Sequence, residues 1–135
     1  VLLTVSRVLD PVQFNKVCID YNIETLFITT SLFKQYLSQR LEVFSRFKNV
    51  LIGGEAIDFK SISEFKEHYP QCNLINGYGP TETIVFATSC NFSHYQNANI
   101  VPIGRALNNK RLYVCDEFMN PVPINVAGEL YIGGA

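Results

Sequence analysis

The sequence predicts an α/β protein: a parallel sheet with crossover helices, followed by part of an antiparallel, β-barrel-like subdomain. Two observations carry that expectation. Through the first half, short apolar β-branched runs alternate with segments of helical periodicity, the pattern of βαβ units. From Thr83 onward the helical pattern disappears, and strand-like runs are separated by Asn-, Pro- and Gly-rich loops.

The parallel strands are expected at Val1 to Val5, Thr25 to Ile28, Asn49 to Ile52 and Asn73 to Ile75. Asp10-Pro11 is a helix-start signal, and Val12, Phe14, Val17, Cys18 and Tyr21 follow as an apolar stripe. After the second strand, Thr29-Thr30-Ser31 offers capping hydroxyls, and Leu32, Phe33, Tyr36 and Leu37 form one packed face. A third helix is expected after Asp58, carrying Ile62, Phe65, Lys66 and Tyr69 and stopped by Pro70. That makes three crossovers. In the second part, Ile84 to Ser89, Arg111 to Cys115 and Glu129 to Ile132 read as strands. The character changes near Asn91 to Pro102, which divides the chain into residues 1–95, an α/β portion with the ligand loops, and 96–135, the start of a β-rich subdomain.

At 135 residues and 47% hydrophobic content, the chain can bury a core. Eleven basic against twelve acidic residues give a net charge of -1 with no run of either sign, which argues against nucleic acid or anionic membrane as a partner. No apolar run approaches the roughly 18 residues of a membrane span and no signal-peptide pattern opens the chain, so a cytoplasmic location is expected. Cys18, Cys72, Cys90 and Cys115 are widely spaced and read as reduced, mostly buried thiols. Val1 stands inside an apolar stretch and Gly133-Gly134-Ala135 follows a strand directly, so the chain is expected to be an internal piece of a longer protein.

Ligands of open parallel sheets bind beyond the carboxyl ends of the strands. Two loops there stand out. Gly53-Gly54-Glu55 follows the third expected strand; it reads as a plain helix-entry turn, or as a platform on which a flat ring lies against the peptide planes. Asn76-Gly77-Tyr78-Gly79-Pro80-Thr81-Glu82 follows the fourth. Asn76 can donate to and accept from a purine edge, Tyr78 offers a stacking face, Thr81 can donate to a phosphate oxygen, and Glu82 is a hard-oxygen ligand for Mg²⁺. A Gly-Pro turn with a helix cap is the equally balanced alternative on spacing alone.

The segment NGYGPTE resembles the adenine, phosphate and metal motif of the adenylation domains of nonribosomal peptide synthetases, within the adenylate-forming ligases. Three further segments fall in that family's order: NVLIGGEA (Asn49 to Ala56), VPIGR (Val101 to Arg105) and GELYIGG (Gly128 to Gly134). The resemblance implies that Tyr78 stacks on adenine, with Gly53, Gly54 and Glu55 along the ring, Asn76 at its edge, and Gly77 and Gly79 in the same loop. Thr81 and Glu82 would be the catalytic pair: Thr81 contacts the α-phosphate and Glu82 holds Mg²⁺ as an amino-acid carboxylate displaces pyrophosphate from ATP. The aminoacyl adenylate would then load the phosphopantetheine thiol of a peptidyl carrier domain, one of several synthetase domains acting as partners. VPIGR and GELYIGG are expected to be structural, with Gly104 at a tight approach and Arg105 solvated or paired.

The resemblance also implies an amino-acid pocket lined by Phe27, Leu51, Gly53, Gly77, Val85 and Phe86. Every side chain there is apolar or absent, so a polar substrate group would lose its water without replacement, and a branched aliphatic amino acid is expected, with phenylalanine second. The family's Gly/Ser/Thr-rich phosphate loop, amino-binding Asp, ribose-binding Asp and catalytic lysine have no match here. The isolated chain is therefore expected to be inactive. The alternatives are an acyl- or aryl-CoA ligase of the same superfamily, or a non-catalytic nucleotide-binding remnant.

Overall fold

The structure, a computed structural model, describes residues 4, 8–83, 86–94 and 100–134. The expected strand Val1 to Val5 lies outside the described residues, Thr4 apart, and so do Ile84 and the pocket residue Val85. In chain order the main elements are α1 (Pro11–Asp20), β1 (Thr25–Thr29), α2 (Thr30–Ser38), β2 (Asn49–Gly53), α3 (Phe59–His68) and β3 (Asn73–Tyr78). Then follow β4 (Thr88–Asn91), β5 (Arg105–Ala106), β6 (Lys110–Cys115) and β7 (Glu129–Gly134).

Each helix starts at the residue the sequence marks. The Asp10 carboxylate accepts from the N–H of Val12 and Gln13, with Pro11 in the first turn where its missing N–H costs nothing. The Thr29 hydroxyl accepts from Leu32 N–H at 3.4 Å, and Asp58 accepts from Ser61 N–H at 2.8 Å. α3 ends at His68, leaving Tyr69 as its C-cap before Pro70.

β1, β2 and β3 are parallel and in register, Phe27 beside Leu51 beside Ile75 and Thr29 beside Gly53 beside Gly77. The sheet does not stop there. β4 and β5 extend it antiparallel, giving the order β1-β2-β3-β4-β5, while β6 and β7 pair in a separate two-stranded antiparallel sheet. The strand expected at Ile84 to Ser89 therefore shifts to Thr88–Asn91. The chain returns beside β3 through Ala87 N–H donating to Tyr78 C=O at 2.8 Å, so pairing starts only at Thr88. The polar segment Thr88-Ser89-Cys90-Asn91 does the pairing, as suits an antiparallel extension of a parallel sheet. The two residues of β5 carry no sequence signal of their own.

Alternate strand residues Ile28, Val50, Ile52 and Leu74 join the helical side chains Phe14, Phe33, Leu37 and Phe65 in one core. At its centre is Phe44, from the 3-10 turn Glu42–Arg46, with its ring centroid 5.3 Å from Tyr69, 5.4 Å from Phe65 and 5.9 Å from Phe33. The intervening strand positions, Phe27, Leu51 and Ile75, fall on the other face and are less buried. The sheet is thus covered by helices on one side, and its second side carries the expected pocket residues.

Candidate functional site

Beyond the carboxyl ends of β2 and β3 lies a cleft of about 330 Å³. Three segments wall it: Gly54 to Ile57 after β2, Asn76 to Pro80 at the end of β3, and Val101 with Ile103. Gly54, Glu55, Asn76, Gly77, Tyr78 and Gly79, all singled out in the sequence, meet here. Ala56, Ile57, Val101 and Ile103 were not singled out as ligand-binding. Val101 and Ile103 belong to VPIGR, whose glycine explains their placement: Gly104 has φ +95°, and a Cβ there would overlap the Ser89 carbonyl. That close approach of the loop to β4 carries the preceding apolar residues to the cleft, a long-range contact without a local signature.

Asn76 is buried, and among the described residues its carboxamide makes no hydrogen bond, although it lines the cleft. Buried amides are almost always paired, so one facing an open cleft is suited to a hydrogen-bonding ligand. Tyr78 is 40% exposed, which leaves ring surface free for stacking. The Glu55 carboxylate accepts from the Ser31 hydroxyl at 2.7 Å.

At Pro80 the chain enters the 3-10 turn Thr81–Thr83, closed by the N–H and hydroxyl of Thr83, which both donate to Pro80 C=O at 3.0 and 2.8 Å. The turn leaves Thr81 and Glu82 exposed, next in the chain after the cleft wall. Magnesium keeps several waters and takes one or two carboxylates plus phosphate oxygens. A single exposed carboxylate beside the cleft fits that demand. Neither Lys nor Arg is among the described cleft-lining residues, so neutralisation of a triphosphate there needs groups besides these.

Apart from Val85, the residues expected to line a substrate pocket come together on the open face of the sheet. A Cβ on Gly53 would stand 2.8 Å from Phe86 Cε1, and one on Gly77 would stand 2.6 Å from Phe86 Cδ1. The ring of Phe86 therefore lies directly over both glycines, and Phe27 meets it edge-on at 5.3 Å between centroids. Leu51 sits beside Phe27 in the strand register. Gly77 belongs to both places, so this aromatic cluster and the cleft adjoin.

The remaining titratable groups do not converge. Among the described residues no group of three or more His, Cys, Asp or Glu could hold a metal ion, and no helix is long and apolar enough to cross a membrane. The four cysteines are free, and burial pushes the Cys18 and Cys72 thiols up to about 11, which makes them poor nucleophiles.

Comparison with known proteins adds to this geometry. The family model described as AMP-binding enzyme matches residues 1–135. The chain is 40% identical over 116 residues to malpibaldin synthetase of Mortierella alpina, which covers 85% of this chain and 2% of that protein. It is 35% identical over 129 residues to surfactin synthase subunit 2 of Bacillus subtilis, covering 96% and 4% respectively. The chain thus spans only a few per cent of the length of these relatives. An NRPS protein containing adenylation and PCP domains shares the fold, with a TM-score of 0.85 at 24% identity over 93% of this chain and 26% of that one.

Proposed function

The chain belongs to the AMP-binding enzyme family, and from that premise we propose that it is part of an amino-acid-activating adenylation domain of a peptide synthetase. The observation that carries the proposal is the cleft in which Asn76, Tyr78 and Gly54 meet at the strand ends, with Thr81 and Glu82 following. The adenine ring of ATP stacks on Tyr78 and exchanges hydrogen bonds with the Asn76 carboxamide. The Thr81 hydroxyl donates to an α-phosphate oxygen, and Glu82 would hold Mg²⁺, which when bound neutralises the charge that develops as pyrophosphate leaves.

The substrate carboxylate comes from the adjoining pocket, so that the attacking oxygen and the α-phosphorus meet near Gly77. Phe27, Leu51 and Phe86 give that pocket an apolar lining without a hydrogen-bonding side chain, which selects a branched aliphatic amino acid. The aminoacyl adenylate then passes to the phosphopantetheine thiol of a carrier domain, in the cytoplasm.

Amino-acid-dependent ATP–pyrophosphate exchange by the parent polypeptide tests the proposal. Valine, isoleucine or leucine should give the strongest signal. Exchange with phenylalanine alone would retain the activity and overturn the pocket assignment. Exchange with carboxylic acids lacking an amino group would favour an acyl or aryl ligase, and no exchange with any acid would favour a non-catalytic remnant.

A further inference from the structure

Besides the tyrosines of the core, the buried side chains among the described residues that carry a hydroxyl or an amide are Thr30, Asn76 and Thr88. All three lie in the cleft wall or bond to it. Asn76 lines it. Thr30 does not cap α2, because Thr29 does; its hydroxyl instead donates to Glu55 C=O at 3.0 Å and lies 3.4 Å from Gly53 C=O. Thr88 donates to Ile103 C=O at 2.6 Å.

Of the three cleft walls, the one at β3 is fixed largely by the sheet ladder as far as Tyr78. The other two are loops, and neither Glu55 nor Ile103 lies in a strand. Each loop is tied at a backbone carbonyl by one buried threonine hydroxyl. A buried hydroxyl is costly unless paired, so each threonine favours a single position of its loop. Ser31, one residue on from Thr30, adds an exposed tie to the Glu55 carboxylate.

We infer that Thr30 and Thr88 are positioning residues that set the two loop walls of the nucleotide cleft, with Ser31 assisting Thr30. They touch no substrate; they act through Gly54 to Ile57 and through Val101 and Ile103. This rests on the adenylation reading above. Thr→Val keeps the shape and removes the donor, leaving a carbonyl unpaired, whereas Thr→Ser keeps the donor.

The test is pyrophosphate exchange by the parent polypeptide with ATP and the amino acid varied separately, alongside melting temperatures. Thr30→Val and Thr88→Val should each raise the KM for ATP about tenfold, the ratio expected for one lost hydrogen bond to a wall. The KM for the amino acid should stay within about twofold, and Thr30→Ser and Thr88→Ser should restore the ATP value. Ser31→Ala, at an exposed position that does not endanger folding, should raise the KM for ATP about threefold. An unchanged KM for ATP in these variants overturns the inference, and so does a loss of kcat that follows melting temperature with no selective effect on ATP. A wild-type parent without exchange overturns the adenylation reading together with this one.

Discussion

At Gly77 a single methyl group decides whether Phe86 can keep its place beside the proposed pocket. A Cβ there would stand 2.6 Å from the ring of Phe86, and ring and methyl cannot both keep their places. The ring can move only by leaving its position over Gly53 and its edge contact with Phe27. Gly77→Ala in the parent should therefore raise the amino-acid KM about tenfold or more, within the range that one methylene controls in an apolar pocket. An unchanged KM would mean that Phe86 does not bound the substrate. Phe44 has the corresponding importance for stability. It is fully buried among Phe33, Tyr36, Phe47, Phe65 and Tyr69, so Phe44→Ala should cost about 3–5 kcal/mol in denaturant unfolding of a folded domain containing this chain. A loss below about 1 kcal/mol would contradict the packing. Residue chemistry made Asn76, Tyr78 and Glu82 conspicuous in the sequence because each carries a functional group in a glycine-rich segment, whose first three residues are the end of β3. Phe44 was not legible, since a 3-10 turn of five residues leaves no usable periodicity.

Among the elements, α2 does more than cross between β1 and β2. Thr30 and Ser31 hold the loop after β2, and Lys34, one turn later, reaches Asp58 at 2.6 Å, the residue that caps α3. The Lys34 contact and the Ser61 N–H hold the Asp58 carboxyl down at about 2. Because the folded value is depressed from 3.8, the stability that the pair contributes is present above that pH and is lost as pH falls towards about 2. Both side chains are nearly half exposed, so solvent screening limits the effect to less than about 1 kcal/mol. Asp58→Asn keeps the cap and removes the charge. Its urea midpoint should lie slightly below wild type at pH 6 and merge with it near pH 2; a constant offset would contradict the linkage. The capping residues Asp10 and Asp58 were legible because caps are local, within three residues of the groups they satisfy. Which of Thr29, Thr30 and Ser31 caps α2 was not, because the two left over are placed by Gly53 and Glu55, more than twenty residues away. The bounds of β4 were not legible for the same reason: strand pairing is decided across the sheet, and Thr88 to Asn91 are set by their partners Ile75 to Tyr78.

Across the whole molecule, the parallel sheet puts its ligand loops at one end, and the register of β1, β2 and β3 places glycines side by side where cleft and pocket meet. That arrangement was legible from alternating strand and helix patterns. The continuation of the sheet through β4 and β5, and the arrival of Val101 and Ile103 at the cleft, were not, because both depend on contacts between distant segments. No lysine or arginine is among the described cleft-lining residues, so a triphosphate there would need balancing groups other than these. The isolated 135-residue chain should accordingly give no pyrophosphate exchange above a Glu82→Ala control; a clear signal would show that these residues suffice. The most direct measurement is mass-spectrometric detection of the aminoacyl adenylate formed by the parent polypeptide from ATP, Mg²⁺ and valine, isoleucine or leucine. Wild type should form it, and Glu82→Ala should lower its rate of formation by about 100-fold or more, as expected for loss of a group that stabilises transition-state charge. No adenylate from wild type with any amino acid, or an undiminished rate in Glu82→Ala, would contradict the assignment of this cleft to amino-acid activation.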